Sequence, residues 1–482
     1  MPERLVSAKT ERAIALVRDA GGAELAERLA HLDRLRDVAS VSTRSPPAPS
    51  AGCSVEFDVI LAGGGLWSLL APVLAARGLS VAVVERARAA AAHREWNASG
   101  PELEALVRAG LFTAQELSEL VVARYDYGVC RFHGGGSYPV TGVLDHAVDA
   151  GPLLARARAL AERRGVTFLD GHEVLSHASG VSAVRVLARR TGEPSAPPRE
   201  ITARLLVDAR GAASPYATAD LVCPTVGGVL RGLVAGDAPD EMNPRVGDIL
   251  ATVDPVVDGR QHVWEAFPGR AGETTVYLFY YARAHERVSL AELYADFFET
   301  LPRYKRGPIT LQRPTFGLIP GWSRLSPGPR APGPRVVLVG DAASRHSPLT
   351  YCGFGATLRS LAPAAEAISR GIHGPPRELG CVVDDAPVHS LTGALAHMMA
   401  SRSFHGDELN GLLDAAFGAL SEMGNARYAS LLRDELSPGG VVQFLRRTAA
   451  RHPAVWGKVV RGLGVGPAGR WSLGVARALV RG

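Results

Sequence analysis

Hydrophobic and polar positions along the chain predict strands and helices in an alternating order after residue 50. Phe57–Ala62 is a short apolar run, three glycines follow it, and a segment rich in Ala and Leu then extends to about Arg77. Gly78 is placed to end that helix, and residues 80–84 form a second apolar run that stops at Glu85. Unbroken apolar strands that alternate with helices are typical of a parallel sheet covered on both faces. The pattern therefore predicts an α/β fold.

The rest of the pattern divides the chain into regions. Leucines at helical spacing in residues 1–44 predict a helical hairpin packed on the main body or, alternatively, an interaction arm. Beyond the first sheet, the pattern predicts a helix at 147–164 and strands at 167–169 and 182–188. The predicted regions are 1–50 (helical arm and Pro-rich linker), 51–225 (first part of the α/β domain, with an excursion near 125–145), 226–330 (a mostly antiparallel substrate domain), 331–374 (return to the α/β domain) and 375–482 (helical, with a basic tail).

Composition excludes several classes of protein. A chain of 482 residues, 46% hydrophobic and 21% charged, predicts two or three folded domains. Five cysteines without paired spacing predict a reducing cytoplasm and no metal site. Basic and aromatic residues mix only in the tail, which argues against nucleic acid as a partner.

The N-terminus has no apolar leader, so the sequence predicts no signal peptide. Residues 59–76 carry no charge and approach the shortest length of a membrane span. Their glycines and Pro72 favour a strand, a turn and a helix instead. Pro72 is expected to kink that helix.

The glycine-rich turn after the first strand has the spacing of a dinucleotide-binding βαβ unit. Gly63 permits a tight turn, and Gly65 lets the backbone approach a pyrophosphate at the start of the next helix. Ser68 replaces the third glycine and is still small enough for close packing. Glu85 ends the second strand 20 residues after Gly65, where a carboxylate accepts hydrogen bonds from an adenosine ribose. Arg86, the next residue, is a further candidate for cofactor binding.

A second motif occupies residues 336–361. Gly340 and Asp341 stand at the end of a buried strand, where open α/β sheets bind ligands. The segment resembles the second FAD motif of glutathione-reductase-type flavoproteins, in which the Asp binds ribityl hydroxyls and the next helix faces the flavin. Residues 205–211, which include Asp208, resemble the strand that these flavoproteins place against the cofactor. The other candidates in this motif are Pro348, Gly353 and Gly355.

Eight segments together resemble the Cru-type lycopene cyclases of green sulfur bacteria and cyanobacteria and their plant paralogues. They are REWNAS (94–99), VLDHAVDAGPLL (143–154), GDILATV (247–253), RQHVWEAFP (260–268), TVYLFYY (275–281), FGLIPG (316–321), SPLTYCGFG (347–355) and LNGLLDAAF (409–417). The likeness extends from about residue 55 to residue 460. It implies a Rossmann-like FAD-binding domain, a mixed or antiparallel sheet in the substrate domain and a helical C-terminal region.

The same resemblance implies an isomerisation. A carboxylic acid protonates the terminal double bond of a linear carotene, the carbocation closes a ring, and loss of a proton gives the β-ring. Related cyclases need FAD in its reduced form without net electron transfer, because anionic reduced flavin stabilises a nearby cation. NAD(P)H is the expected reductant.

Two carboxylates are candidates for the acid. Glu265 is preferred, because it lies between Trp264 and Phe267 on a predicted strand, and apolar surroundings keep a carboxyl group protonated. A hydrogen-bonded carboxylate on a solvent face is the alternative reading of Glu265. Glu95 is the rival, although Arg94, Glu95 and Asn97 could equally bind flavin. A nearby acidic stretch is predicted to be a solvated loop and consists of Asp237, Asp240, Glu241 and Asp248.

The C-terminal tail is basic. After Glu435 there are eight Lys and Arg residues and no acid, and Trp456 and Trp471 lie among them. A basic segment with tryptophans is typical of a membrane interface. The sequence therefore predicts a cytoplasmic protein bound peripherally to the inner face of a membrane, with a solvated arginine-rich helix as the alternative.

Two other functions remain open at the level of the sequence. One is an FAD-dependent reductase or monooxygenase that acts on a prenyl lipid. The other is a flavin-binding paralogue without catalytic turnover. The substrate end group, the number of rings formed and the oligomeric state also remain open.

Overall fold

A computed structural model describes residues 7–35, 48–50, 54–92, 95–328, 332–344, 349, 353–374 and 387–481. The strands are β1 (Phe57–Ala62), β2 (Val81–Glu85), β3 (Glu95–Ala98), β4 (Val121–Arg124), β5 (Tyr127–Arg131), β6 (Ser137–Val140), β7 (His146–Asp149), β8 (Thr167–Asp170), β9 (His172–Ser179), β10 (Val184–Arg190), β11 (Arg199–Asp208), β12 (Leu221–Arg231), β13 (Val246–Ala251), β14 (Val263–Pro268), β15 (Glu273–Phe279), β16 (Ala282–Arg283), β17 (Thr310–Gly321) and β18 (Val336–Leu338). The helices are α1 (Ala8–Gly21), α2 (Ala23–Leu35), α3 (Leu70–Ala75), α4 (Gly100–Arg108), α5 (Ala114–Leu120), α6 (Ala150–Arg163), α7 (Leu290–Tyr304), α8 (Gly353–His373), α9 (Pro387–Met399), α10 (Glu408–Glu422), α11 (Asn425–Leu432), α12 (Pro438–Arg451), α13 (Val455–Leu463) and α14 (Val465–Arg481).

The first sheet confirms the predicted βαβ unit. Its strand order is β8–β2–β1–β11–β10–β9, and β18 also pairs with β11. β1 is parallel to β2 and to β11, so Ala62 stands beside Val84 and Asp208 at one edge. Helices α3, α6 and α8 pack together on one face of this sheet, over a continuous buried apolar cluster. The carboxyl ends of β1, β2, β11 and β18 therefore meet where both glycine motifs begin.

The helix after β1 is shorter than the sequence predicts. A 3-10 turn occupies Leu66–Leu69, and α3 then continues only to Ala75. Pro72 has no N–H group to donate to the carbonyl of Ser68, so regular α-helical bonding cannot extend back through this turn. The backbone forms the narrower 3-10 turn before Pro72, and the predicted long, kinked α-helix does not form. Gly78 follows at φ +81°, in agreement with its predicted role at the end of the helix.

The second sheet is mixed and mostly antiparallel, as predicted for the substrate domain. Its order is β16–β12–β15–β14–β13–β5–β6, and β17 also pairs with β12. β5 and β6 come from the early excursion near 125–145, and β5 lies parallel to β13. One face packs against α7, a helix that the sequence pattern did not predict, and Trp264 and Val276 are buried there. The other face carries Glu265 and Tyr277, which are directly paired across β14 and β15.

A small third sheet has the order β3–β7–β4. β7 corrects the helix predicted at 147–164, because residues 146–149 are a strand and α6 begins only at Ala150. The side chain of Asp149 accepts a hydrogen bond from the N–H of Gly151 and so caps that helix. The strand β3 thereby gains a partner and lies over the second sheet.

The N-terminal helices form the predicted hairpin on the main body. Both α1 and α2 pack against α7, and α1 also contacts β17. Val17 and Leu29 are fully buried in that contact. Of the predicted linker, residues 45–50, the first three lie outside the described residues.

The prediction of a solvated acidic loop is wrong for Asp248. This residue lies in β13 and is buried, while Asp237 is exposed. The carboxylate of Asp248 accepts a hydrogen bond from Tyr304 (2.6 Å) and pairs with Arg131 (2.8 Å) and Lys305 (3.4 Å). Burial raises the pKa of Asp248, but the attraction of Lys305 and Arg131 outweighs it and holds the pKa below its ordinary value.

Several basic residues of the tail have acidic partners in the folded chain. Arg447 and Arg451 pair with Glu422 of α10, and Arg461 pairs with Glu408. Trp471 is buried, and its indole N–H donates to the carbonyl of Ser390; Trp456 by contrast is exposed. None of the helices in the described part of the chain is both long and apolar enough to cross a membrane.

We predict that Asp248→Asn lowers the free energy of unfolding by about 3–5 kcal/mol, because Arg131 and Lys305 then lie buried without a counter-charge. The stabilisation by Asp248 is present above the ordinary aspartate pKa and is lost as pH falls through the lower folded value. Urea unfolding as a function of pH measures both effects. Asp237→Asn, at an exposed position of the same acidic stretch, is the control, and equal losses in the two variants would contradict the assignment.

Candidate functional site

The turn after β1 forms an open cradle. Gly63 has φ +106°, and a Cβ atom there would lie 2.4 Å from the carbonyl oxygen of Ala209, so the position excludes any side chain. A Cβ at Gly65, by contrast, would meet nothing within 4 Å. Ser68 is buried, and its hydroxyl has no hydrogen-bond partner among the described residues. The turn therefore combines exposed backbone, free space and an unsatisfied hydroxyl.

Glu85 is held at the rim of this cradle. Its carboxylate accepts hydrogen bonds from the N–H groups of Gly64 (2.7 Å) and Ala87 (2.9 Å). These bonds link the end of β2 to the glycine turn after β1, and contact of Glu85 with an adenosine ribose stays a prediction. The side chain of Arg86 is exposed beside it, and its part in cofactor binding stays a prediction.

The second motif reaches the same edge of the sheet. Asp341 lies in a 3-10 turn, Gly340–Ala343, that follows β18. Gly340 has φ +56°, and a Cβ there would lie 2.4 Å from the indole nitrogen of Trp67. Trp67 of the first motif therefore packs directly on the second motif. Sequence reasoning missed this contact, although a tryptophan inside a glycine-rich turn was a visible departure.

Helix α8 begins close to both motifs. A Cβ at Gly353 would meet none of the described residues within 4 Å, whereas one at Gly355 would lie 2.5 Å from a carboxylate oxygen of Glu102. Glu102 is buried, accepts a hydrogen bond from the N–H of Ser99 (2.9 Å) and pairs with Arg359 of α8. Sequence reasoning did not single out Glu102. Of the other predicted residues, Pro348 and Arg94 lie outside the described residues.

Asp208 is fully buried, and its carboxylate is bound by neighbouring residues of the chain. Its carboxylate pairs with Arg210 (2.7 Å) and accepts a hydrogen bond from the hydroxyl of Ser214 (2.8 Å). These contacts fix the chain as it leaves β11 beside the glycine cradle. Contact between Asp208 and a cofactor stays a prediction.

Glu265 lies deep in the chain with a neutral partner. It projects from the face of β14 that is turned towards β3, where the side-chain amide of Asn97 donates to it at 3.4 Å. The hydroxyl of Tyr125 donates to the amide oxygen of Asn97 and so orients the amide N–H towards Glu265. Burial raises the pKa of Glu265 to about 7, and the hydrogen bond from Asn97 only partly offsets this. The side chain nevertheless keeps partial solvent access.

Glu95 has a cationic partner. Its carboxylate is buried, and one oxygen pairs with Arg313 of β17 at 2.5 Å, while Arg313 also binds Glu273 at 3.1 Å. Burial raises the pKa of Glu95, although Arg313 opposes the shift. The second carboxylate oxygen has no hydrogen-bond partner in the described chain. The two candidate acids therefore have different partners. Glu95 forms an ion pair with Arg313, whereas Glu265 accepts a hydrogen bond from a neutral amide.

The strand β3 lies between helix α8 and the second sheet. Glu95 and Asn97 face the second sheet, while Trp96 between them stacks on Phe354 of α8 with ring centroids 4.6 Å apart. Strand geometry requires this alternation. The candidate acids and the start of α8 are consequently held on opposite faces of the same four-residue strand.

Comparison with known proteins shows the fold. No protein-family model matches the chain, and no curated protein matches it. A geranylgeranyl bacteriochlorophyll reductase-like protein from Thermoplasma acidophilum has a similar structure (TM-score 0.52, 17% identity, covering 84% of this chain and 98% of that one). The halogenase PltM, crystallised with phloroglucinol and FAD, gives a TM-score of 0.57 at 13% identity, covering 88% of this chain and 96% of that one.

A third similar structure is the p-nitrophenol 4-monooxygenase PnpA from Pseudomonas putida DLL-E4. It gives a TM-score of 0.55 at 17% identity, covering 82% of this chain and 98% of that one. At such identities the likeness shows a shared fold. The chain therefore has the predicted Rossmann-like α/β fold with a second sheet and a helical C-terminal region.

We predict that Glu265→Gln flattens the dependence of stability on pH. A carboxyl group whose folded pKa is raised stabilises the fold at low pH and loses that contribution as pH rises. The wild-type protein should therefore lose stability between about pH 4.5 and about pH 7, the ordinary and raised pKa values of Glu265, and the variant should lose less. Urea midpoints across this range measure the effect, with Glu104→Gln on the exposed side of α4 as the control. Parallel curves for wild type and Glu265→Gln would contradict it.

Proposed function

We propose that the chain is an FAD-dependent enzyme. The support is the fit of the site: an open glycine cradle, the unsatisfied hydroxyl of Ser68 and the open start of α8 all lie at one edge of the sheet. In this proposal the backbone of Gly63 and Gly65 binds the pyrophosphate, Glu85 binds the adenosine ribose and Asp341 binds the ribityl hydroxyls. The FAD-bound halogenase, which shares the fold, supports the same assignment.

We further propose that the reaction is the acid-catalysed cyclisation of a carotene end group. The observation that carries this proposal is Glu265, a deep carboxyl group with a pKa of about 7 and an amide as its partner. Such a group is protonated for much of the time near neutral pH and gives up its proton without breaking an ion pair. The resemblance to Cru-type lycopene cyclases supplies the substrate class.

In the proposed step the carboxyl proton of Glu265 moves to a carbon of the terminal double bond. The resulting carbocation closes the ring and then loses a proton from a neighbouring carbon, so the mass of the substrate is unchanged. Val263 and Phe267 flank Glu265 on the same face of β14, and both are buried. Asn97 orients the carboxyl group. Reduced FAD, when bound, supplies negative charge that stabilises a nearby cation, and NAD(P)H would supply its electrons.

A reductase acting on a prenyl lipid is the second candidate. The geranylgeranyl bacteriochlorophyll reductase-like protein, 98% of which is covered by this chain, favours it. Reduction of a carbon–carbon double bond also needs a proton at carbon, so Glu265 would keep its role while the product gains two hydrogens. A monooxygenase would require oxygen, and a paralogue without turnover would bind FAD and give no product.

Anaerobic product analysis in a lycopene-accumulating host tests these functions against one another. Cyclisation gives a pigment of unchanged mass with a new ring, reduction adds two hydrogens, and oxygenation stops when oxygen is removed. Conversion that occurs only with oxygen, or a product heavier by two hydrogens, would contradict the cyclase proposal.

We predict that Asp341→Ala weakens FAD binding by roughly ten- to a hundredfold, because ribityl hydroxyls lose a charged acceptor. Flavin retained after gel filtration and fluorescence titration of the apoprotein measure this directly. Asp237→Ala, on an exposed loop, should bind FAD as the wild type does. Unchanged affinity in Asp341→Ala would mean that the second motif does not hold the flavin.

We predict that Glu265→Gln lowers cyclic product by roughly 10²–10⁴-fold, the usual contribution of a positioned general acid. The amide keeps the shape of the side chain, so bound FAD should be unchanged. Glu95→Gln is the matched comparison, because it removes a carboxylate two residues from Asn97 that is already paired with Arg313. Near-normal product from Glu265→Gln, together with lost product and full flavin in Glu95→Gln, would reverse the assignment.

A further inference from the structure

Tyr125 lies one hydrogen bond beyond Asn97, the partner of Glu265. Its side chain is buried, and its ring packs over β13, where a Cβ atom at Gly247 would lie 2.5 Å from a ring carbon. Its backbone N–H donates to the carbonyl of Asp145 (3.1 Å), and its hydroxyl donates to the amide oxygen of Asn97. The backbone and the ring of Tyr125 are therefore both held in place where the hydroxyl meets Asn97.

The side-chain amide of Asn97 has one accepting end and one donating end. The hydroxyl of Tyr125 binds the accepting end, so the donating end is directed at Oε1 of Glu265 (3.4 Å). If the amide were reversed, the phenol hydrogen of Tyr125 would lose this acceptor, and the amide oxygen would face Glu265. Loss of a buried hydrogen bond is unfavourable. Tyr125 therefore favours the observed direction of the amide.

The two carboxyl oxygens of Glu265 consequently differ. Oε1 accepts the hydrogen bond from Asn97, whereas Oε2 has no hydrogen-bond partner among the described residues. The side chain also keeps partial solvent access. An oxygen that already faces an N–H group is the poorer place for a proton, so the neutral carboxyl group carries its proton on Oε2.

The other titratable groups near Glu265 come from three strands and from the segment before β5. They are Tyr277 and Glu273 of β15, Glu95 of β3, Arg313 of β17, and Tyr125. Both of these carboxylates are paired with the arginine. Towards the C-terminal helices the neighbours of Glu265 on the sheet, Val263 and Phe279, are apolar. Burial and the hydrogen bond from Asn97 are the two causes that act on the pKa of Glu265, so the direction of the amide bears directly on its acidity.

We propose that Tyr125 is a positioning residue for the acid proton of Glu265. By binding the amide oxygen of Asn97, it keeps the amide N–H on Oε1 and the proton on Oε2, where a carbon of the substrate takes it. A reversed amide would instead accept that proton in a hydrogen bond, and Glu265 would be a weaker acid. The inference rests on the proposed role of Glu265 as proton donor, but titration of Glu265 tests it without a substrate.

Infrared difference spectra against Glu265→Gln, recorded with the full chain over a range of pH, isolate the carboxyl band of Glu265 and give its pKa. In Tyr125→Phe we expect this pKa to rise by about one, a tenfold gain in proton affinity, because the amide oxygen can turn to the neutral carboxyl group. Asn97→Leu removes the amide N–H and should also raise the pKa. Tyr294→Phe is the matched control and should leave it unchanged, because Tyr294 is a buried tyrosine of α7 on the other face of the second sheet.

The pH dependence of conversion, measured with lycopene in detergent micelles, is the second readout. The protonated form of Glu265 donates the proton, so conversion should fall as pH rises through its pKa, and in Tyr125→Phe the fall should lie about one pH unit higher. A lower yield with the fall at the wild-type pH would show a merely structural role and overturn the proposal.

The titration decides the proposal independently of the reaction. An unchanged pKa of Glu265 in Tyr125→Phe or in Asn97→Leu, with circular dichroism to show that the variant is folded, would overturn it, and so would an equal rise in Tyr294→Phe. If the wild type gives no cyclic product while Tyr125→Phe shows the expected rise, the proposed cyclisation is contradicted and the control of the proton by Tyr125 stands.

Discussion

The position of β3 between helix α8 and the second sheet is the constraint on which the rest of the site depends. Trp96 stacks on Phe354 at the start of α8, while Glu95 and Asn97 on the opposite face engage the second sheet. If β3 shifted by one residue, every side chain would change faces, and the carboxylate of Glu95 would be directed at α8. The Glu95–Arg313 pair therefore fixes the register in which Asn97 meets Glu265.

Glu95 and Glu265 show how the surroundings of a carboxylate separate roles that composition cannot. Both Glu95 and Glu265 are desolvated, and both pKa values are raised. Arg313 binds one oxygen of Glu95, so transfer of a proton to or from that carboxylate disturbs a buried ion pair. Glu265 meets only the neutral amide of Asn97, and its proton can leave and return while its hydrogen-bond partner stays in place.

Local features of the sequence predicted local structure well. Contacts between residues that are distant in the sequence were not predicted. The glycines at 63 and 65 and the strand ending at Glu85 follow from spacing, because a βαβ unit closes within some thirty residues. Helix α7 was missed, although Ser289 caps the N–H of Glu292 and marks its start. Asp248 was misread, because its partners Arg131 and Lys305 come from distant segments. Glu265 was found from its apolar neighbours, and Asn97 was considered only as a flavin ligand; the contact between these two residues, 168 positions apart, was not predicted.

The apolar interior connects the proposed site to the C-terminal helices. Val263 and Phe279, which lie on the Glu265 face of the second sheet, belong to the same buried cluster as Leu391 of α9 and Phe444 of α12. Apolar side chains thus join the surroundings of Glu265 to the helices that carry Trp456. The same packing that desolvates the carboxyl group of Glu265 also joins the second sheet to the C-terminal helices. In the proposed cyclisation, an apolar end group of the substrate would therefore meet buried apolar side chains on this side of Glu265.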